Sequence, residues 1–325
     1  MSLHGLLVAV LGFAAPALAS PLPEPASIRS ADEEPGDAGE NASAGEKASA
    51  EEPDGTEGAE GADEVGGTDV DLFPEATVHL MAARYAPSET DLRWTTWIGA
   101  GVAPIRFDET VFFATADIET TLGNERRAFD ATQTNYHLQL GVRRHFRRLV
   151  GELYFDHVSR HVVDREKTRA VDWNALGARA GLDLGDAFLG VPTRVSLGIG
   201  HTTLESVVGY QLEVTGGIES DLYEWPGGTV YARARMRAVT VKEDADLDRG
   251  SFLDGSTEAG MRISRNSHFI EMFVSFEHRN DVLLLEASLR NRALFGIRIG
   301  GGPPPLLASH VGGLGPRLAG ASPAH

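Results

Sequence analysis

The chain has 325 residues, no cysteine and a formal charge of −18. Without cysteine there is no disulfide, thiolate nucleophile, lipoprotein anchor or cysteine metal site. The charge is concentrated: residues 21–71 hold 16 acids against Arg29 and Lys47, leaving 31 acids and 27 bases for residues 72–325. No basic stripe survives that subtraction, which excludes the nucleic-acid binders that depend on neutralising phosphates.

At the N-terminus, Met1-Ser2-Leu3-His4 is followed by an apolar run from Leu6 to Ala15 and then by Ala17-Leu18-Ala19. This is the order of a secretory signal peptide, residues 1–19, with cleavage expected after Ala19. The apolar run is too short to anchor the chain across a bilayer as a helix. Residues 20–71 are Ala, Glu, Gly, Asp, Ser and Pro with almost no large apolar side chain. Such a segment cannot bury enough surface to offset chain entropy, so it reads as a disordered acidic tail. A tether for cations or a partner is the functional alternative.

From residue 72 the texture changes to short alternating segments rich in Val, Thr, Tyr, Phe and Leu, broken by Gly, Pro, Asp or Asn. The period of two predicts strands at 77–85, 94–106, 111–120, 134–146, 149–162, 171–184, 193–203, 209–220, 228–241, 250–264, 268–279 and 292–301. Twelve strands of this length, with no apolar run of helical membrane length, predict an all-β chain. The expected fold is a transmembrane antiparallel up-and-down β-barrel over 72–301. The connections agree, since 107–109, 147–148 and 265–267 are tight and alternate with longer, more charged ones. The stretches 185–192 and 221–227 are longer than a periplasmic turn should be. The last strand does not end the chain on the aromatic residue that barrel assembly machinery usually reads, and residues 302–325 read as a disordered tail. A soluble β-sandwich or lipocalin-like barrel is the competing fold.

The segment 154–161, Tyr-Phe-Asp-His-Val-Ser-Arg-His, holds the residues that most resemble chemistry, together with Asp164 and, across a loop, Asp172-Trp173-Asn174. Strand alternation sends the charged Glu152, Asp156 and Arg160 into a wet lumen, and therefore His157, Ser159 and His161 outward. The same test puts Asn174 outward and Arg179 inward. A hairpin centred between Glu166 and Lys167 would set Ser159 opposite Asn174. His157 and Ser159 lie about 6.5–7 Å apart at their α-carbons. Leaning together they could act as base and nucleophile, with Asn174 orienting the imidazole. His157 and His161 lie about 13 Å apart along the strand, too far to share one metal ion.

His-x-Ser followed by Trp-Asn on the next strand resembles outer-membrane phospholipase A. The resemblance implies lipid-ester hydrolysis from the outer face, with Ser159 as nucleophile, His157 as base and Asn174 as its orienter. It also implies calcium and a homodimer, with outer-membrane lipids as substrate. Where that family has Asn-Gly after its serine, this chain has Arg160-His161, and Ala170 stands where a calcium-binding serine is expected. The run 157–161 with Asp164, and the Asp71-Leu72-Phe73-Pro74 start, are also similar to an uncharacterised outer-membrane family with a His-x-Ser-Ser-His-x-x-Asp motif, which brings no known activity.

Against the enzyme stands a structural barrel or narrow pore. In that reading the same His, Ser and Asn are interfacial polar residues, with Tyr154, Trp173 and Trp225 as girdle aromatics. Arg233, Arg235 and Arg237 share one face of the ninth predicted strand and are expected in the lumen. There they either bias it toward anions or pair with acids such as Glu213, Glu219, Glu258 and Glu271. The glycine-rich pieces 99–101 and 300–302 precede no helix and are not phosphate loops.

Overall fold

The computed structural model describes residues 70–86, 92–163, 171–186, 188, 190–243, 250–280 and 290–302. The expected signal segment, nearly all of the acidic tail, Asp164, Ala170 and residues 303–325 lie outside them. The described chain is β1 (Val70–Ala86), β2 (Trp94–Phe107), β3 (Thr110–Gly123), β4 (Asp130–Phe146), β5 (Leu149–Val162), β6 (Val171–Gly185), β7 (Thr193–Glu205), β8 (Tyr210–Trp225), β9 (Gly228–Val241), β10 (Phe252–Arg265), β11 (His268–Arg279) and β12 (Arg290–Gly301). Each strand pairs antiparallel with its sequence neighbours, and β1 also pairs with β12, which closes the barrel. Closure leaves no sheet edge, the condition for strands to cross a bilayer with every backbone group paired.

The strands alternate as the period-two pattern requires, but the polarity of the two faces is reversed from that of a soluble protein. Outward side chains are apolar and bare: Leu153 is 66% exposed, Val78 61% and Phe295 60%. Charged side chains point inward and are buried, among them Glu271, Arg262 and Arg298. An apolar band of this extent needs lipid against it, which makes the chain a membrane-spanning barrel rather than a lipocalin-like or sandwich fold.

Two boundaries differ by five residues or more from those read in the sequence. β1 begins at Val70, so Asp71-Leu72-Phe73-Pro74 lies inside the first strand rather than before it. A register shift between Leu72 and Glu75, with Phe73 at φ 53, lets the strand carry a residue in the left-handed region and a proline that gives no ladder hydrogen bond. β8 continues to Trp225 through a second shift between Asp221 and Tyr223, so the β8–β9 turn shrinks to Pro226-Gly227. A bulge resets the alternation that a pattern search follows, and polar Asp221 and Glu224 then read as loop.

Side chains fill the lumen. At its centre the Glu271 carboxylate receives hydrogen bonds from Arg233 at 3.1 Å, Arg262 at 2.8 Å and Arg298. Glu258 receives the Tyr231 hydroxyl at 2.9 Å and Arg298 at 3.2 Å, and Glu219 receives Arg262 at 3.1 Å. Two apolar clusters lie nearer the end with the longer connections: Val158, Trp173, Tyr210 and Val239 among β5–β9, and Met81, Tyr85, Trp97, Phe273 and Leu294 around the closure. Between them Arg279 on β11 reaches Glu119 on β3 at 3.5 Å. Cavities of about 50 and 20 Å³ remain in this part of the lumen, room for a few waters and not for a solute stream.

Candidate functional site

β5 separates its polar residues as alternation requires. Glu152, Asp156 and Arg160 are buried in the lumen, while His157, Ser159 and His161 face outward, half-buried. On β6, Trp173 and Arg179 turn inward and Asp172 and Asn174 outward. Tyr154 and Trp173, expected in an interfacial girdle, are instead lumen residues, 8% and 7% exposed. Arg160 stacks over the Trp173 ring at 5.3 Å and Arg179 over Tyr154 at 4.3 Å, so the aromatics serve as platforms for buried guanidinium groups. Trp225 stacks with exposed Tyr223 at the short-turn end of β8.

The β5–β6 register differs from the expected one. His157 is opposite Asn174 and Ser159 opposite Asp172, two residues from the predicted pairing of Ser159 with Asn174. A shift of two preserves the face of every side chain, so the outward set is unchanged while its partners change. The His157 Nδ1–H donates to Asn174 Oδ1 at 2.6 Å. An amide oxygen only accepts, so this bond places the proton on Nδ1 and leaves Nε2 as the basic nitrogen. Ser159 Oγ is not on His157; it hydrogen-bonds His161 Nε2 at 2.8 Å. The His161 ring stands edge-on to Tyr136 at 5.4 Å, and Tyr136 is the β4 neighbour of Ser159. The three candidate residues thus share one outward patch but form two hydrogen-bonded pairs, with His161 a participant that their spacing alone did not single out.

A second His–Asn pair sits on the other side of the barrel. His278 is opposite Asn291, and its Nδ1 lies 2.8 Å from Asn291 Oδ1. It occupies the corresponding place in the β11–β12 hairpin, with Asn280 rather than a serine two residues after it. Its sequence signal is a histidine near the end of one strand and an asparagine near the start of the next, a pattern that spells no catalytic motif without the serine.

The lumen arginines resolve toward pairing. Arg233 meets Glu219, Glu258 and Glu271, and Arg237 meets Glu213 at 2.8 Å and Asp254 at 3.3 Å.

Calcium, implied by the phospholipase resemblance, does not fit the described residues. It takes six to eight oxygens, whereas the described side chains around Ser159 offer, beside two imidazoles, the Asp172 carboxylate, the Ser159 hydroxyl and the Asn174 amide oxygen. Among the described residues no group of three or more His, Asp or Glu is close enough to hold a metal ion.

No family model matches the chain, and no curated protein matches it by sequence. Among solved structures it is similar to outer membrane phospholipase A from Escherichia coli, at 14% identity and TM-score 0.45 over 71% of this chain and 98% of that one. LpxR from Salmonella typhimurium matches at 10% identity and TM-score 0.41, over 69% of this chain and 99% of that one. An outer membrane channel from Pseudomonas putida F1 matches at 8% identity and TM-score 0.46, over 74% and 100%. Likenesses this distant carry no argument about activity.

Proposed function

We propose that the chain is an outer-membrane protein that hydrolyses acyl esters of lipids in the outer leaflet, with Ser159 as nucleophile, His157 as general base and Asn174 as the group that orients it. The observation that carries the reading is the 2.6 Å bond from His157 Nδ1 to Asn174. It fixes the tautomer with Nε2 free, two residues from a serine on the same lipid-facing wall. In the reaction His157 Nε2 takes the Ser159 proton as Oγ attacks the ester carbonyl, then gives it to the departing alcohol; water releases the acyl group by the same route. Ser159 must first rotate about χ1 away from His161.

The test is release of fatty acid from phospholipid or lipid A by the refolded protein, with and without calcium, beside Ser159→Ala. Wild-type turnover that Ser159→Ala abolishes is the expected result. Equal release by both proteins, or none from wild type after long incubation, removes the enzyme.

A non-enzymatic barrel is the second reading, favoured by the recurrence of a His–Asn pair at His278 and Asn291 without a serine. A histidine donating to asparagine would then be a rim element that offers polar atoms to head groups. In either reading the described side chains fill the lumen with ion pairs, so planar-bilayer recordings should show no resolved conductance steps. Regular steps from wild-type protein would instead establish a narrow pore.

A further inference from the structure

The outer wall of a barrel should be convex, yet at the closure it carries a groove of about 750 Å³, within the range that holds a lipid- or drug-sized ligand. Its cause is a run of small outward residues. Gly301 pairs with Val78, Val78 with Ala100 and Ala100 with Ala116, forming one rung across β12, β1, β2 and β3. The adjoining rung, Ile299, Leu80, Ile98 and Ile118, is bulky and makes one bank. Followed the other way, the small rung runs from Gly301 to His268 and on to Arg265, both exposed where the β10–β11 hairpin turns. The groove is therefore apolar along its length and cationic at the end that reaches the short-turn side. Its lining includes no carboxylate among the described residues.

We propose that this groove is a binding site for one anionic phospholipid of the leaflet on the short-turn side. The acyl chains lie over Val78, Ala100 and Ala116, where the missing side-chain volume lets them sink and gain contacts that a convex wall denies. The phosphate sits at Arg265, whose planar fork suits two phosphate oxygens, with His268 beside it. Depth in the membrane supports this occupant. The apolar part lies at hydrocarbon level and the cations at the turn, where head groups are, so one amphiphile satisfies both ends. The site is separate from the Ser159 patch on β5 and does not depend on the hydrolase reading.

Native mass spectrometry of the refolded full chain, offered equal phosphatidylglycerol and phosphatidylcholine, tests the proposal. One phosphatidylglycerol should remain bound, preferred about tenfold over phosphatidylcholine. Ala100→Phe/Ala116→Phe, which fills the groove, should retain neither lipid. Arg265→Gln/His268→Gln should lose the preference while still holding lipid. All four positions face outward, and the heat-dependent gel shift of a folded barrel checks each variant. Equal retention by wild type and the filled variant would overturn the site. So would a lipid-free dimer that the filled variant breaks, since the occupant would then be a second copy, or lipid that binds only after removal of residues 303–325.

Discussion

Glu271→Gln should lower the stability of the barrel by about 3–5 kcal/mol, the cost of leaving buried charge uncompensated. The Glu271 carboxylate is fully buried and shared by Arg233, Arg262 and Arg298. Glutamine keeps the shape but removes the charge, so three guanidinium groups remain close together in the lumen with Glu258 and Glu219 as their nearest compensation. The size of the effect comes from desolvation. The carboxylate attracts each arginine weakly in net terms, yet its loss exposes the full burial cost of what it had neutralised. Urea unfolding of the protein refolded in lipid bilayers measures this as a fall in midpoint at unchanged slope. Glu213→Gln supplies the comparison. Its side chain is 27% exposed and pairs with Arg237, which keeps Asp254, so its loss should cost no more than about 1 kcal/mol. Adding Arg233→Met to Glu271→Gln should recover part of the loss by removing one stranded cation. A Glu271→Gln midpoint within error of Glu213→Gln would mean that water reaches the cluster and the lumen is not closed.

That cluster also shows what was legible in the sequence. The alternation of Arg233, Arg235 and Arg237 on β9 puts all three on one face, and neutral surroundings outside that face make it the lumen; partners among Glu213, Glu219, Glu258 and Glu271 follow from the same parity. Parity depends only on counting by two, so it survives a boundary error wherever no bulge intervenes. Register does not. Residues 163–170 separate β5 from β6, and a connection of that length allows several pairings that keep the same faces outward. The expected pairing of Ser159 with Asn174 was one of these, and the pairing of His157 with Asn174 is another. The direction in which Ser159 turns is set by a rotamer, which no spacing rule contains. The groove was illegible for a different reason: Ala100 and Ala116 become neighbours of Gly301 and His268 only when the barrel closes.

If Ser159 attacks an ester, removal of its hydroxyl should cost at least about a thousandfold in turnover, and His157→Ala should cost as much, with the double variant no worse than either alone. Residues that act in one proton transfer fail together, so additivity between these two would argue against a shared step. Asn174→Ala should retain roughly a hundredfold more activity than Ser159→Ala, because losing the orienter leaves base and nucleophile in place. His161→Ala carries the opposite sign. In the structure Ser159 Oγ is held by His161 Nε2 at 2.8 Å, a bond broken before His157 can act. A neutral hydrogen bond is worth about 0.5–1.5 kcal/mol net, so deleting its partner should leave turnover unchanged or raise it by up to about tenfold. The direction follows from which state the bond stabilises: it lowers the resting enzyme and is absent at the transition state, so it adds to the barrier. Single-turnover release of a fluorescent fatty acid by the five variants separates these outcomes. Should His161→Ala be as damaging as Ser159→Ala while His157→Ala turns over normally, the proton goes to His161. His157 and Asn174 would then be a rim pair like His278 and Asn291.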